Sequence, residues 1–127
     1  MILDSSRLAD DPHGWDLAKA VYNDEKWFAV ASEGKSFRPV EGGTGDRAAE
    51  VFMRPSERGV YIAVFNYDDK NPHSIDIPLQ RINKNSAPSS AVTVTDVSTG
   101  ATSSLAQAAV QIQLLPSESR LLELRWR

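Results

Sequence analysis

Cysteine is absent from the 127 residues, which excludes disulfides, thiolate zinc sites and a cysteine nucleophile. No apolar run reaches the roughly 20 residues that a membrane-spanning helix needs, and residues 1–7 lack the long apolar core of a signal peptide. Acidic residues (17) outnumber basic ones (14), so the basic surface typical of nucleic-acid-binding proteins is missing. We therefore expect neither a membrane nor a nucleic acid as a partner.

The composition is that of a folded protein. Hydrophobic residues make up 41% and charged residues 24% of the chain, as in globular domains and unlike disordered segments. A chain of this length buries about two thirds of its surface on folding, which suffices for a core without disulfides. The sequence pattern changes near residue 36 without a long linker. We therefore predict a helical segment, residues 1–35, followed by a β-rich segment, residues 36–127.

The segment before residue 36 has helical periodicity. Its apolar residues recur at spacings of three, four and seven: Leu17, Ala20, Val21, Trp27, Phe28 and Ala31. Pro12 favours a helix start, and the pattern predicts two short helices, over residues 12–22 and 24–32. Because Trp27 and Phe28 are large, apolar and adjacent on a short helix, we expect them to face a partner.

From residue 37 onward, short apolar segments alternate with turn residues at a spacing of roughly ten. Residues 60–67 are apolar on both faces, which predicts a central strand, and Pro78 is expected to end a later strand. The Ser-rich segments 86–90 and 98–104 are predicted to be loops. Parallel strands need crossovers of roughly a dozen or more residues. The spacing therefore predicts an all-β fold: an antiparallel Greek-key β-sandwich of seven to eight strands with one or two short N-terminal helices.

No group of residues that carries chemistry stands out. His13 and His73 lie 60 residues apart in polar turns, without a second ligand at metal-binding spacing. No Gly-x-Ser-x-Gly elbow occurs, and Gly42–Asp46 lacks the ending of a phosphate-binding loop. No sequence pattern pairs two carboxylates as the acid and base of a glycosidase. Tyr61 and Trp126 fall at the spacing of core residues in strands, so we expect them to pack in the core. We therefore assign no catalytic, cofactor-binding or metal-binding residue and expect no cofactor.

Five segments resemble a known family of domains. They are Asn23–Ala31, Gly34–Val40, Tyr61–Tyr67 with its Phe-Asn pair, Asp96–Gly100, and Leu115–Leu124 with its paired leucines. In this order and spacing they are similar to the C-terminal β-sandwich domain of α-galactosidase-like glycoside hydrolases, families 27 and 36. The sequence departs from the family pattern at Ser98, where the family has Trp, and at Ser117, where His is frequent.

The resemblance implies a non-catalytic accessory domain that buttresses the catalytic (β/α)8 barrel of a parent enzyme. Residues 1–35 would be a helical remnant resembling the end of that barrel, and residues 36–127 would be the C-terminal β-sandwich. The family's catalytic aspartates belong to earlier barrel strands, in Lys-x-Asp and Arg-x-x-x-Asp settings. No Lys-x-Asp motif occurs in this sequence. Arg7 and Asp11 form one Arg-x-x-x-Asp motif, but they follow the point at which the barrel strand with the family's acid/base aspartate would end. The chain is therefore expected not to be an enzyme.

The partner implied by the resemblance is the catalytic barrel, with Trp27 and Phe28 as the candidate barrel-facing residues. Without a barrel this surface would stay exposed, so we also expect the isolated chain to self-associate. The parent enzyme could be secreted or periplasmic, and the sequence assigns no compartment.

Two other hypotheses stay open. An independent carbohydrate-binding module would stack exposed aromatic side chains on sugar rings. It predicts two or three coplanar exposed aromatics beside polar groups, whereas a small catalytic domain predicts a concave site with paired titratable groups. The accessory domain instead predicts inward-facing aromatics in the sandwich and an apolar patch on the helices.

Overall fold

The computed structural model describes residues 12–41, 45–84 and 91–126, and the chain divides into two compact units, residues 1–35 and 36–127. The first unit contains helix α1 (Pro12–Tyr22) and helix α2 (Glu25–Ser32). Both predicted helices are confirmed, and α2 begins one residue later than expected. Asp24 has an extended backbone, and its side chain accepts a hydrogen bond from the backbone amide of Lys26 at 2.9 Å. It is therefore the N-cap of α2 and not its first helical residue. No helix among the described residues is long and apolar enough to cross a membrane.

The second unit is built from antiparallel strands. Its described residues form eight strands and one short helix: β1 (Arg38–Pro39), β2 (Val51–Pro55), β3 (Val60–Phe65), β4 (His73–Pro78), α3 (Leu79–Ile82), β5 (Val92–Asp96), β6 (Thr102–Leu105), β7 (Ala109–Leu114) and β8 (Ser119–Trp126). Six strands pair in the order β1-β2-β3-β8-β5-β6, and β4 pairs with β7 in a second sheet. The predicted all-β antiparallel sandwich is confirmed.

The core lies between the two sheets. Alternate residues of β3, Val60, Ile62 and Val64, are buried in one hydrophobic cluster with residues of β4 and β7 such as Ile75 and Ile112. We call the face of the six-stranded sheet that carries these β3 residues the core face, and the opposite face the outer face. Burial of this aliphatic cluster is the main term that stabilises the sandwich.

Strand register decides which aromatic residues reach the core. Tyr61 lies opposite Arg54 on β2 and Glu123 on β8, and all three belong to the outer face because Val60 and Ile62 point the other way. The prediction that Tyr61 packs in the core is therefore wrong. Trp126 does pack against the core cluster, as predicted.

Two local predictions are settled by the strand bounds. Pro78 is the last residue of β4, as predicted. The predicted loop 98–104 is wrong in its second half, because Thr102–Leu105 pairs with β5 as the polar edge strand β6. Residues 86–90 and 42–44 lie outside the described residues.

Candidate functional site

The two residues that the sequence singles out lie on α2. Phe28 is 47% exposed, whereas Trp27 is half-buried. Two residues of α1 are exposed to a similar degree, Trp15 at 44% and Val21 at 48%. Among residues 12–35, three large apolar side chains are thus exposed to solvent, which is the kind of surface that proteins cover with a partner.

One end of the sandwich is held together by a buried amide. Asn66 is only 6% exposed, and its Nδ2 donates to the backbone oxygens of Asn71 at 2.8 Å and Leu115 at 2.9 Å. Its Oδ1 accepts from the amide of Asp68 at 3.0 Å. These bonds tie the loop after β3 to the turn before β8, which explains the asparagine in the Phe-Asn pair of the sequence motif.

The same end of the sandwich displays two apolar side chains that sequence reasoning missed. Tyr67 is 57% exposed and Leu115 is 66% exposed. The ring of Tyr67 stacks on Phe65 with 5.8 Å between centroids and 4° between planes, and its hydroxyl donates to the backbone oxygen of Ala49 at 3.0 Å. Tyr67 follows an apolar strand directly, so the sequence does not indicate that it lies beyond the end of the sheet.

Two aspartates shape the loops rather than pair for catalysis. Hydrogen bonds from Asn71 and from the amides of Lys70 and Asn71 lower the pKa of Asp68. Burial raises the pKa of Asp96, but hydrogen bonds from Ser98 and from backbone amides outweigh that effect, so its pKa is lowered overall. Both carboxylates are held ionised as loop caps.

A groove lies beside β7. It has a volume of about 710 Å³ and is bordered by the β5–β6 hairpin, by β7 and by the first half of β8. Arg120 lies in this groove, and its Nε donates to Oε1 of Glu118 at 2.7 Å. This bond and the charge of Arg120 lower the pKa of Glu118. We call this feature the β6–β7 groove, and sequence reasoning did not identify it.

The histidines do not assemble a metal site with their neighbours. Nε2 of His73 lies 3.1 Å from Oε2 of Glu50 at the exposed end of β4, and His13 is exposed on α1. Within residues 12–41, 45–84 and 91–126, no group of three or more His, Cys, Asp or Glu side chains could hold a metal ion.

Comparison with known proteins identifies the sandwich. Residues 46–124 match the model of a domain family described as the α-galactosidase C-terminal β-sandwich domain. The fold resembles α-galactosidase I from Mortierella vinacea, with a TM-score of 0.65 and 12% identity over 84% of this chain and 28% of that one. It also resembles a Bacillus halodurans protein provisionally described as an α-N-acetylgalactosaminidase, with a TM-score of 0.62 and 21% identity over 93% of this chain and 26% of that one. No curated protein matches significantly.

Proposed function

From the premise that this chain belongs to the family of α-galactosidase C-terminal β-sandwich domains, we propose that it is a non-catalytic accessory domain that buttresses a catalytic (β/α)8 barrel. The family match over residues 46–124 is the observation that carries the proposal. The chain spans 28% and 26% of the two solved structures, and a barrel takes about 250 residues. Under this proposal, the activity and the substrate belong to the barrel.

The use of the carboxylates supports a role without catalysis. Asp68 and Asp96 cap loops, and Glu118 accepts hydrogen bonds from Arg120 and from the amide of Leu115. A glycosidase needs one carboxylic acid and one carboxylate that flank the scissile bond. Lowered pKa values suit neither an acid that must hold its proton near neutral pH nor a poised base.

The exposed helix residues supply a surface for the barrel. We assign Phe28 and its neighbour Trp27 to that contact, with residues 1–35 as the segment that resembles the end of the barrel. Complete burial of a side chain of this size is worth about 1.5–3 kcal/mol. Covering Phe28, Val21 and Trp15, each of which is close to half exposed, therefore gives a substantial reason to bind a partner.

The test uses the purified chain, because another copy of the same chain is then the partner available to cover this surface. Sedimentation velocity over a wide range of concentration is expected to show reversible self-association, and Phe28→Ser is expected to weaken it. Leu115→Ser is the matched control, because it removes an even more exposed apolar side chain from the sandwich unit. A chain that stays monomeric at all concentrations would contradict the assignment of this surface.

The coding sequence upstream of Met1 gives a second, independent test. A (β/α)8 barrel with two catalytic aspartates in the same reading frame, or in the adjacent gene, would support the accessory role. A reading frame and neighbouring genes without any glycosidase barrel would contradict it.

A carbohydrate-binding module that relies on exposed aromatics has less support. Tyr67 offers one ring face, but the next aromatics in line do not extend it into a flat platform. Phe65 lies beneath Tyr67, and Phe52 meets Phe65 edge-on at 86°. A sugar-binding surface built on stacking needs two or three rings side by side.

A further inference from the structure

One edge of the two-stranded sheet offers unpaired backbone groups. The amide of Leu79 donates to the backbone oxygen of Ala108 at 2.9 Å, and this pair continues the β4–β7 register. In an antiparallel ladder, hydrogen-bonded pairs alternate with pairs that exchange no hydrogen bond. The backbone N–H and C=O groups of Ala109, Gln111 and Gln113 therefore point away from β4. None of these groups hydrogen-bonds to another described residue.

The other three sheet edges in the described part of the chain carry features that hinder pairing with a further strand. β1 consists of Arg38 and Pro39 alone, and β6 has four residues. On the free edge of β4, Asp76 carries a charge and Pro78 has no backbone N–H. Short strands, charges and prolines are usual protections of an edge. β7 has six residues without a charge or a proline, so its edge lacks these protections.

The β6–β7 groove adjoins this edge. Gln111 and Gln113 border it, although strand alternation places their side chains on the face of β7 that points away from the core, where both are exposed. Within the described residues, β4 and β7 face a sheet of six strands. Because neighbouring strands lie about 4.8 Å apart, two strands cannot cover six. A further strand beside β7 would therefore lie in the groove, over β5, β6 and the start of β8.

The floor of the groove is apolar near the start of β7 and charged near its end. Leu105 and Val110 border the groove where β6 leads into β7 after three residues. Asp96 lies at the opposite end of the β5–β6 hairpin from Leu105, because the two strands are antiparallel. Glu118 also lies at that end, where it accepts a hydrogen bond from the amide of Leu115 at 2.6 Å.

The charges at the end of β7 favour a cation. Nε of Arg120 donates to Oε1 of Glu118 at 2.7 Å, so these two charges neutralise each other. Asp96 leaves one negative charge in excess. Ser98 and the amide of Thr99 all donate to Oδ1 of Asp96, and its Oδ2 accepts no hydrogen bond from the residues that the structure describes. A lysine ammonium that enters the groove here can donate to Oδ2.

The groove has room for a single strand and not for a second sandwich. Packed sheets lie about 10 Å apart. If a second copy joined its own β7 to this edge, its six-stranded sheet would lie beneath that strand. The β5 and β6 strands of the first copy already form the floor of the groove at that place. An isolated extended segment brings no second layer and therefore fits.

We propose that the β6–β7 groove binds an extended segment of another polypeptide, which carries a lysine followed by apolar residues at alternate positions. The segment adds a third strand to the small sheet, antiparallel to β7. Hydrogen bonds to the backbone of Gln111 and Gln113 supply affinity, and the alternate side chains supply specificity. This binding does not rest on the accessory role of the domain, so its failure would leave that role untouched.

The register of the added strand places each side chain. Directly opposed residues share a face of a sheet. The lysine therefore lies opposite Leu114, at the end of the groove that contains Asp96. The apolar residues lie opposite Ile112 and Val110, over the apolar part of the floor. The residues between them lie opposite Gln113 and Gln111 and face solvent with these glutamines.

The test is a titration of the ¹⁵N-labelled chain with the acetylated and amidated hexapeptide Lys-Thr-Val-Thr-Val-Thr, followed by NMR. Saturable shifts and slower hydrogen exchange are expected in the backbone amides of Gln111 and Gln113. The control peptide has the same composition in the order Val-Val-Lys-Thr-Thr-Thr, which breaks the alternation, and is expected to produce neither effect. No saturable shift with the first peptide, or equal shifts with both, would overturn the proposal.

N-methylated peptides separate main-chain pairing from side-chain contact on the unaltered chain. In the proposed register, the N–H groups of the first two threonines point at β7, and those of the two valines point away from it. N-methylation of these threonines is expected to abolish the saturable shifts, whereas N-methylation of the valines is expected to preserve them. Equal binding of the two methylated peptides would overturn the proposal.

Proline substitutions on the two edges of the small sheet are matched variants. Gln111 and Asp76 lie opposite each other, and the backbone N–H of each points away from the other strand. Gln111→Pro removes an N–H beside the groove and is expected to weaken binding about tenfold or more. Asp76→Pro removes one at the far edge and is expected to bind normally. Equal loss in both variants would contradict the proposal; should Gln111→Pro unfold, the methylated peptides decide.

The last measurement tests the charged end of the groove. Replacing the peptide lysine by glutamate is expected to weaken binding about two- to fivefold, the value of an exposed ion pair. In Asp96→Asn the two peptides are expected to bind alike. Equal binding of both peptides to the unaltered chain would overturn the proposed lysine. Concentration-dependent shifts in the amides of β7 without peptide would show that a second copy occupies the edge, and would overturn the proposal as a whole.

Discussion

The two faces of the six-stranded sheet are buried by different interactions. The core face carries aliphatic residues such as Ile62 and Leu124, both fully buried among other aliphatic side chains. The outer face of the same sheet buries Arg54 to 1% exposure, with its guanidinium carbon 5.2 Å from the ring centre of Phe37 and 5.0 Å from that of Tyr61. One face therefore depends on apolar burial, and the other on aromatic rings stacked on a cation.

The outer face also shows how its polar groups tolerate burial. Glu123 is 9% exposed and accepts hydrogen bonds from Arg125 at 2.7 Å and from Ser56 at 3.4 Å. Buried charges persist only when such partners are present. A strand with apolar residues on both sides can therefore have two unlike environments, and we expect substitutions on the two faces to have unlike effects.

Ile62→Ala is expected to produce the largest effect. The side chain is 0% exposed at the centre of the core cluster, and truncation of a buried Ile costs about 2–5 kcal/mol of unfolding free energy. Denaturant melts give the value, and Ile62→Val, expected to cost about 0.5–1.5 kcal/mol, is the control. A loss below that of the valine variant would mean that this face is not the core.

Arg54→Met is expected to cost about 2 kcal/mol, the value of a desolvated cation–π contact. Methionine keeps most of the side-chain length and removes the charge between Phe37 and Tyr61. Arg58→Met, at an exposed position in the turn before β3, is the control and should change the melting curve little. If the two variants have the same unfolding free energy, the cation–π contacts of Arg54 do not contribute to stability.

Phe65→Ala is expected to cost about 1–2 kcal/mol, because it loses two aromatic contacts of about 0.5–1.5 kcal/mol each but is only half-buried. A fully buried Phe would cost about 3–5 kcal/mol. Phe65→Leu, which keeps apolar volume, is expected to recover part of the loss. A cost equal to that of Ile62→Ala would remove the distinction between the faces.

Acid is expected to have the smallest effect, and at the loops rather than the sheet. The pKa values of Asp68 and Asp96 lie below their ordinary value of 3.8 in the folded chain. Their stabilisation is therefore complete above pH 3.8 and is lost as the pH falls from there through the lowered pKa values. Asp68→Asn should flatten this dependence in acid titrations, whereas Asp69→Asn removes a neighbouring carboxylate that makes none of these hydrogen bonds.

The sequence predicted features that depend on local periodicity. The helix over 12–22 and the central strand that begins at Val60 are examples. The position of Tyr61 on the outer face was not predictable. In a strand that is apolar on both faces, alternation does not tell which face packs against the second sheet. The edge strand β6 was missed because its serines and threonines look like a loop until pairing with β5 is known. The β6–β7 groove was missed because it depends on how many strands each sheet has.

The central claim is that this chain acts without catalysing glycoside hydrolysis, and an assay with an aryl α-galactoside tests it most directly. The purified chain is expected to release no more aryl product than buffer does, at any pH between mildly acidic and neutral. Hydrolysis that co-elutes with the chain, and that disappears when denaturant unfolds the chain, would contradict the account.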